Sequence, residues 1–214
     1  MNLQYDPDTA LDHLRAADAR LAAAIARCGE FAIARESEAE RTPYHSLLRA
    51  IVYQQLSGRA AGSIYARLLA LLDGAADSDP QALLALSDEQ LRGVGLSRNK
   101  VLAVRDLALR CLDGTVPDGE ALQALDDEQI VERLTRVRGV GRWTVEMLLI
   151  FKLGRPDVLP VGDLGVRRGC QWLFGMAEPP TPKALAALAE PWRPYRSVAS
   201  WYLWRISDGD KGWG

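Results

Sequence analysis

The segment 159–163, Leu-Pro-Val-Gly-Asp, places a single acid after a stretch broken by proline and glycine, at the start of a predicted helix. An aspartate at this position is commonly an N-cap, whose side chain accepts a hydrogen bond from a backbone N–H of the first turn. An ionised carboxylate can also stabilise positive charge that develops on a reacting group in a transition state. Asp163 therefore fits two interpretations, a helix cap and a catalytic carboxylate.

A second chemical feature is the three-residue link Gly139-Val140-Gly141 between two predicted helices, which cover 126–136 and 142–153. Glycine reaches positive φ without a Cβ clash, so this link can turn sharply. The amides of the link and of the next helix start then point outward and form a site for an anion, most commonly phosphate. The alternative is an ordinary corner between helices with solvated arginines. The flanking arginines are Arg136, Arg138 and Arg142.

Charge is distributed unevenly along the chain. The formal net charge is −2, with 26 Lys and Arg against 28 Asp and Glu. Residues 111–132 contain seven acids and no Lys or Arg, whereas residues 133–172 contain eight Lys or Arg and three acids. A local basic face is enough to meet a phosphate backbone even on an acidic protein. A chance cluster of charges is the alternative.

Several classes of chemistry lack the residues they need. The two histidines, His13 and His45, lie early in the chain and far from the basic half, so there is no Ser-His-Asp set. Neither Gly-Val-Gly segment continues as a Walker-type phosphate loop. Cys28, Cys111 and Cys170 are far apart, which argues against a zinc site or an iron–sulfur cluster, and free cysteines indicate a reducing, cytoplasmic setting. No apolar run reaches the length of a membrane span.

The segments that position these residues are predicted to be helices throughout the chain. Residues typical of helix starts precede apolar residues at helical spacing. No alternating run typical of a strand is bounded by turn residues. The sequence therefore predicts an all-α fold. The predicted helix starts are Thr42-Pro43, Ser87 with Gln90, Ser97, Asp126 and Thr181-Pro182.

The segment 134–144, Leu-Thr-Arg-Val-Arg-Gly-Val-Gly-Arg-Trp-Thr, is followed by an apolar helix and then by Pro-Val-Gly-Asp at 160–163. This combination resembles the helix-hairpin-helix DNA glycosylase superfamily and is most similar to its 3-methyladenine DNA glycosylase II branch. The resemblance extends from about Thr42 to Arg205. It implies two helical lobes with a cleft between them. Residues 1–41 and 165–214 would form one lobe, and residues 42–164 the other, which carries the hairpin at 134–153.

The resemblance implies a monofunctional DNA glycosylase in base excision repair. Such an enzyme flips a damaged base out of double-stranded DNA and hydrolyses its bond to the sugar, here for an alkylated purine of the 3-methyladenine type. Asp163 would be catalytic, because the sugar becomes oxocarbenium-like as the base leaves and a carboxylate stabilises that charge. The alternatives are a glycosylase of the same family for deaminated or oxidised bases and a non-catalytic helix-hairpin-helix DNA-binding module. We expect the protein to be a monomer and not to bind a membrane.

The pocket for the flipped base should be aromatic. All six tryptophans lie at or after position 143, and a cationic base stacked on an electron-rich ring gains about 0.5–2 kcal/mol. Core packing is the alternative for each tryptophan. Met147 stands where some relatives carry an aromatic residue, which bears on the substrate range. The residues assigned to the pocket are Trp143, Trp204, Tyr53 and Met147.

Two adjacent glutamines end the helix that begins at Thr42-Pro43. In the resembled family this position supplies the side chain that fills the gap left by the extruded base; Gln55 is the first candidate and Gln54 the second. A polar helix end is the alternative. Arg98 and Lys100 fit either a phosphate contact or a plain surface. The other predicted DNA contacts are Arg138, Gly139, Val140, Gly141, Arg142, Thr144 and Arg168.

The resemblance also bears on inorganic ligands. In this family a monovalent cation often lies between hairpin carbonyls and phosphate, and we expect Na⁺ or K⁺ here at the backbone of Arg136, Gly139 and Gly141. No metal site built from side chains, no iron–sulfur cluster and no other cofactor is expected.

The residue at position 143 decides whether the protein is expected to cut the DNA strand as well. Relatives with lyase activity use a lysine two residues after the second hairpin glycine, whose amine forms a Schiff base with the sugar. Trp143 occupies that position, and an indole cannot form a Schiff base. Lys152, the nearest lysine downstream, is nine residues further along the helix, roughly 13 Å away. Water is therefore the expected nucleophile.

Borohydride trapping on a substrate that the protein processes should accordingly give no covalent adduct between protein and DNA. The product should be an intact strand with an abasic site. A bifunctional lyase treated in parallel is the positive control, and an adduct in comparable yield would show the monofunctional interpretation to be wrong.

Overall fold

The computed structural model describes residues 3–33, 42–72 and 79–209, and these ranges contain helices and no β-strand. The all-α prediction is confirmed for this part of the chain. None of the described helices combines the length and the apolar composition that crossing a membrane requires. The helices are α1 (Pro7–Ala17), α2 (Ala19–Cys28), α3 (Pro43–Tyr53), α4 (Gly58–Leu71), α5 (Pro80–Ala85), α6 (Asp88–Gly93), α7 (Arg98–Leu112), α8 (Gly119–Gln123), α9 (Asp127–Leu134), α10 (Arg142–Phe151), α11 (Leu164–Phe174), α12 (Pro182–Leu188) and α13 (Arg196–Asp208), with a 3-10 helix at Glu190–Trp192.

Side-chain caps start these helices where the sequence predicts them. Thr42 caps α3, Ser97 caps α7 and Thr181 caps α12, each by accepting a hydrogen bond from a first-turn backbone N–H. Ser87 and Asp126 form reciprocal capping boxes with the glutamine three residues later. Each cap satisfies an N–H that the helix leaves without a partner and is worth about 0.5–2 kcal/mol. The predicted helix starts are confirmed.

The chain divides into two compact units. The terminal unit comprises Met1–Glu38 and Glu146–Gly214, and the central unit comprises Ala39–Val145. The predicted boundary at 41/42 borders residues 34–41, which lie outside the described ranges. The other boundary differs from the predicted 164/165, because the division falls at 145/146, inside α10.

Hydrogen bonds explain why residues 146–163 belong to the terminal unit. Gln4 donates from its backbone N–H to the carbonyl of Gly154 at 3.1 Å and from its side chain to the carbonyl of Leu153 at 3.2 Å. The Val158 N–H donates to the buried Ser197 hydroxyl at 2.9 Å. The stretch broken by proline and glycine therefore packs against both ends of the chain, although its composition is typical of a linker.

The core of the terminal unit includes a close crossing of α11 and α13. A Cβ built at Gly169 of α11 would overlap the backbone carbonyl of Leu203 in α13, so only glycine allows the two helices to lie this near. Trp192 and Tyr202 are fully buried in this unit. The Tyr202 hydroxyl donates to the carbonyl of Gly29 at 3.1 Å, which satisfies its polar atom in the interior.

The central unit is organised around α7, which packs against α3, α5 and α6. Val104 and Leu107 of α7 are fully buried, as are Leu48 and Ile51 of α3. In each helix the two residues are three apart and therefore share one face. Helix α7 also contacts the loop that leads into α10, because the Asp106 carboxylate accepts a hydrogen bond from the Arg138 N–H.

Gly169→Ala should destabilise the terminal unit by about 3 kcal/mol, because the new methyl group meets backbone atoms that cannot move aside. Urea or thermal unfolding measures the loss. Gly119→Ala is the matched control, since a Cβ at this first residue of α8 would meet nothing within 4 Å. The control should change stability by less than about 0.5 kcal/mol. Equal stability of the two variants would contradict the close crossing.

Candidate functional site

Asp163 is the N-cap of α11 and is tied to a second helix as well. Its Oδ1 accepts hydrogen bonds from the Val166 N–H at 2.8 Å and from the Trp204 Nε1–H at 2.9 Å. The capping interpretation of Asp163 is therefore observed. The indole donor has no part in capping α11, and its bond fixes the orientation of the carboxylate. Both partners are N–H donors, which suit an ionised carboxylate.

Trp204 reaches Asp163 because α11 has no side chain in the way. A Cβ at Gly165 would lie 2.9 Å from the Trp204 Cδ1 and 3.1 Å from the Asp163 Oδ1. The other part of the indole stacks on Phe151, with 5.6 Å between ring centroids and an interplanar angle of 28°. The structure thus brings together Asp163 and the predicted pocket residue Trp204.

Sequence reasoning missed Gly165 and Phe151 at this site. Glycine in the first turn of a helix is unfavourable relative to alanine by about 1 kcal/mol, so its presence was a detectable signal of close packing. Phe151 gave no comparable signal, since it is one apolar residue in an apolar helix.

The hairpin joins α9 to α10 by residues 135–141, in the central unit. Gly139 has φ of +79°, which confirms the predicted use of glycine in a sharp turn, whereas Gly141 does not have a positive φ. A Cβ at Gly141 would meet nothing within 4 Å. Nothing inside the protein therefore requires glycine at 141, and space remains for an external group to approach the backbone.

The loop of the hairpin is held by its own turns and by α7. The Val140 N–H donates to the Val137 carbonyl at 3.0 Å. The Arg138 N–H donates to the Asp106 Oδ2 at 2.7 Å. The loop conformation is fixed before any ligand arrives, which reduces the entropy lost on binding.

Two of the three hairpin arginines form ion pairs with carboxylates of α9. Arg142 binds Glu128 with two hydrogen bonds, at 3.0 and 2.7 Å, and Arg136 binds Glu132 at 2.7 Å. The Arg142 guanidinium lowers the pKa of Glu128 below its usual value. These side chains are largely exposed, and exposed pairs contribute at most about 1 kcal/mol. A phosphate can therefore compete for both arginines at little cost. The Arg138 side chain is exposed.

The other predicted DNA contacts differ in their exposure. Val140 and Thr144 are buried, so the structure leaves their backbone rather than their side chains for a DNA contact. Arg168 is exposed on α11, one turn after Leu164, which is half exposed. Their roles stay predictions.

The two glutamines after α3 have different surroundings. The Gln54 side chain donates from Nε2 to the carbonyl of Gly139 in the hairpin at 2.9 Å. Gln55 is exposed and has φ of +58°. Gln54 is thus engaged within the protein, whereas Gln55 lies at the tip of the turn. This arrangement supports Gln55 as the candidate for insertion into DNA.

Lys100 has contacts within the protein that neither of its two interpretations from the sequence included. Its side chain is half-buried, and Nζ donates to the carbonyls of Val52 at 2.6 Å and of Gln54 at 2.9 Å. Two of the three N–H donors of the ammonium are therefore engaged within the protein. The sequence could not show this, because the two carbonyls lie at the end of α3 and at its C-cap, 46 to 48 positions earlier in the chain.

The predicted pocket residues are distributed over both units. Trp143 lies at the start of α10 with its side chain 51% exposed, so its surface is accessible to a ligand. Tyr53 is half-buried; the Arg49 guanidinium carbon lies 4.1 Å from its ring centroid, and Tyr65 packs edge-on at 6.1 Å. One face of Tyr53 is therefore already covered, which favours packing over stacking on a base. Met147 is half-buried in the terminal unit.

The carbonyls predicted to hold a monovalent cation are partly engaged. The Gly139 carbonyl accepts from the Gln54 side chain at 2.9 Å, and the Gly141 carbonyl accepts from the Val145 N–H at 3.2 Å. Each oxygen has a second lone pair. The cation stays a prediction. Among the described residues, no three His, Cys, Asp or Glu side chains are grouped as a metal site built from side chains would require.

Comparison with known proteins assigns this arrangement to a family. Residues 48–194 match the model described as HhH-GPD superfamily base excision DNA repair protein. This match covers more than half of the chain. The chain belongs to the HhH-GPD superfamily of base excision DNA repair proteins.

Individual relatives cover between 78% and 98% of the chain. The Schizosaccharomyces pombe protein named DNA-3-methyladenine glycosylase 1 is 36% identical over 168 residues, which make up 78% of this chain and 74% of that protein. The crystal structure of DNA-3-methyladenine glycosidase from Bacillus halodurans matches with a TM-score of 0.85 at 35% identity, over 98% of this chain and 94% of the other. A structure of Schizosaccharomyces pombe 3-methyladenine DNA glycosylase in complex with abasic DNA matches with a TM-score of 0.80 at 33% identity, over 94% and 97%.

Gly141→Ala should weaken binding to all DNA sequences several-fold while leaving the fold intact. The added methyl group meets no protein atom, but it occupies the space through which a phosphate would reach the hairpin amides. Titration of a fluorescent duplex at several salt concentrations measures affinity and salt slope. Gly139→Ala is the contrasting variant, since its φ of +79° strains any side chain and should lower stability by about 1 kcal/mol. An unchanged DNA affinity and an unchanged salt dependence in folded Gly141→Ala would show that the hairpin does not bind phosphate.

Proposed function

We propose that the protein is a monofunctional DNA glycosylase that excises alkylated purines of the 3-methyladenine type from double-stranded DNA. The observation that carries the proposal is the carboxylate of Asp163, which two N–H donors orient at the start of α11. Membership of a base excision repair superfamily supports it. So do the 36% identity to a protein named DNA-3-methyladenine glycosylase 1 and the structural similarity to a glycosylase in complex with DNA.

The chemistry requires one carboxylate and water. As the bond between base and sugar lengthens, positive charge develops on the sugar ring, and the Asp163 carboxylate stabilises it. The same carboxylate can orient the attacking water. A cationic alkylated purine leaves as a neutral base, so a second acid that protonates the leaving group is not required. The bonds from Val166 and Trp204 hold Asp163 in place and need not reorganise during the reaction.

Aromatic rings supply the affinity for the flipped base. Trp143 has an exposed side chain, and a cationic purine stacked on an indole gains about 0.5–2 kcal/mol relative to an uncharged one. Trp204 has a different task, because its N–H and one ring face are engaged by Asp163 and Phe151. We assign Trp143 to stacking and Trp204 to positioning the carboxylate.

DNA is held through the hairpin. The outward amides near Gly141 and the arginines Arg138 and Arg142 contact phosphate, and Gln55 fills the gap in the base stack. A monovalent cation at the hairpin carbonyls remains part of the proposal. The protein acts as a monomer. Cys28, Cys111 and Cys170 are all free thiols, which supports a reducing, cytoplasmic setting.

Asp163→Asn should keep the fold and DNA binding while lowering base release at least about a hundredfold, because asparagine still caps a helix but carries no charge to stabilise the sugar cation. The assay measures free bases released from alkylated duplex DNA. Asp118→Asn is the control, since Asp118 caps α8 in the same way and is exposed. Near-normal turnover of Asp163→Asn would remove it from the mechanism. Binding without base release by the wild-type protein would favour a non-catalytic module.

A further inference from the structure

The turn that carries Gln55 has an unfavourable backbone conformation. Gln54 has φ −53° and ψ 133°, Gln55 has φ +58°, and the Leu56 N–H donates to the Tyr53 carbonyl at 3.3 Å. These values match a type II turn, whose third residue is normally glycine or asparagine. Gln55 is the one non-glycine residue with positive φ in the described ranges. Such a conformation costs about 1–3 kcal/mol and persists when the surroundings impose it.

Hydrogen bonds from Lys100 hold one part of this turn in place. Its ammonium donates to the carbonyl of Val52 in the last turn of α3 and to that of Gln54, the C-cap residue that follows α3. A positive charge at the C-terminus of a helix is favourable, because the unpaired carbonyls there carry partial negative charge. Partial burial lowers the pKa of Lys100 below its usual value. The turn is thus fastened to the first helical turn of α7.

A side-chain hydrogen bond of Gln54 also holds this turn. Its side chain bridges to the Gly139 carbonyl in the hairpin, at 2.9 Å and across 85 positions of sequence. The next residue back in the hairpin, Arg138, is fastened to Asp106 by its backbone N–H at 2.7 Å. Lys100 and Asp106 both lie on α7, six residues apart, which corresponds to roughly 9 Å along the helix.

We propose that Lys100, Gln54 and Asp106 form a brace that fixes the turn carrying Gln55 at a set position relative to the hairpin. The inference rests on the proposed function, in which the hairpin holds phosphate and Gln55 enters the base stack. The brace makes these two events parts of one rigid contact. A hairpin seated on the backbone then brings Gln55 to the stack without a separate search for its conformation.

All three brace members are positioning residues. Gln54 and Lys100 hold the turn that carries Gln55, whereas Asp106 holds the hairpin loop. Loss of Gln54 or Lys100 should therefore affect the steps in which Gln55 takes part. Without the brace, the turn can relax to negative φ, and the Gln55 side chain leaves the position from which it inserts. Duplex DNA needs an inserted side chain to keep the gap open, whereas a single strand has no such gap. Discrimination between duplex and single-stranded substrates is therefore the property that the brace controls.

The test compares Gln54→Met and Lys100→Met with the wild-type protein on one alkylated base in a duplex and in a single strand. Each variant keeps a side chain of similar length and loses the donor. We expect kcat/KM on the duplex to fall about tenfold, the equivalent of one lost hydrogen bond, and kcat/KM on the single strand to change less than about twofold. Lys183→Met is the control for charge, since Lys183 is an exposed residue near the start of α12.

A double-variant cycle separates positioning from general damage. Gln55→Ala removes the inserting side chain, so adding Gln54→Met to it should cause no further loss on the duplex. Multiplied losses in the double variant would overturn the brace. Equal losses on both substrates for Gln54→Met would overturn it as well. Gln54 is half-buried, and its variant decides the matter if Lys100→Met does not fold.

A second readout keeps the brace separate from catalysis. The fluorescence of 2-aminopurine placed opposite an abasic-site analogue in a duplex rises when an inserted side chain disturbs the stack. Wild-type protein should raise this signal, and Gln54→Met should raise it much less at saturating protein. An equal rise in both proteins would contradict the brace. Failure of the wild-type protein to release any alkylated base would instead overturn the proposed function, with the fluorescence comparison still deciding the brace.

Discussion

The hydrogen bond between Asp163 and Trp204 depends on how closely α11 and α13 can approach. Two glycines set that distance: Gly169 meets the backbone at Leu203, and Gly165 leaves room for the indole. They are four residues apart and so lie on the same face of α11. Because these two positions carry no side chain, α13 comes near enough for Trp204 to donate a hydrogen bond to Asp163, the N-cap of α11. The orientation of the carboxylate is therefore a consequence of backbone packing.

In the central unit, polar side chains rather than glycines fix the positions of the candidate functional loops. Helix α7 supplies Lys100 and Asp106, which hold two separate loops by bonds to their backbone atoms. Bonds to the backbone fix a loop regardless of which side chains it carries. The loops can thus vary in sequence at their exposed positions, as at Gln55, while the shape that presents those positions is preserved.

The sequence predicted the features that are local and missed those that join distant segments. Helix starts at Ser87 and Asp126 were predictable because a cap and its partner are three residues apart. The bond from Trp204 to Asp163 spans 41 positions and that from Gln54 to Gly139 spans 85, and neither leaves a pattern in one sequence. The predicted boundary at 164/165 differs from the division at 145/146 for a related reason. A stretch with proline and glycine is typical of a linker, and one sequence does not show that Gln4 and Ser197 form hydrogen bonds with it.

The ion pairs on the hairpin have a consequence for how salt acts on DNA binding. Arg142 and Arg136 already hold carboxylates, Glu128 and Glu132. When a phosphate takes either guanidinium, DNA loses a condensed cation, but the displaced carboxylate attracts a cation in turn. The net number of ions released is then smaller than the number of new contacts. If these arginines bind DNA as proposed, each exchanges a carboxylate for a phosphate, and DNA binding should depend less on ionic strength than the number of arginines suggests.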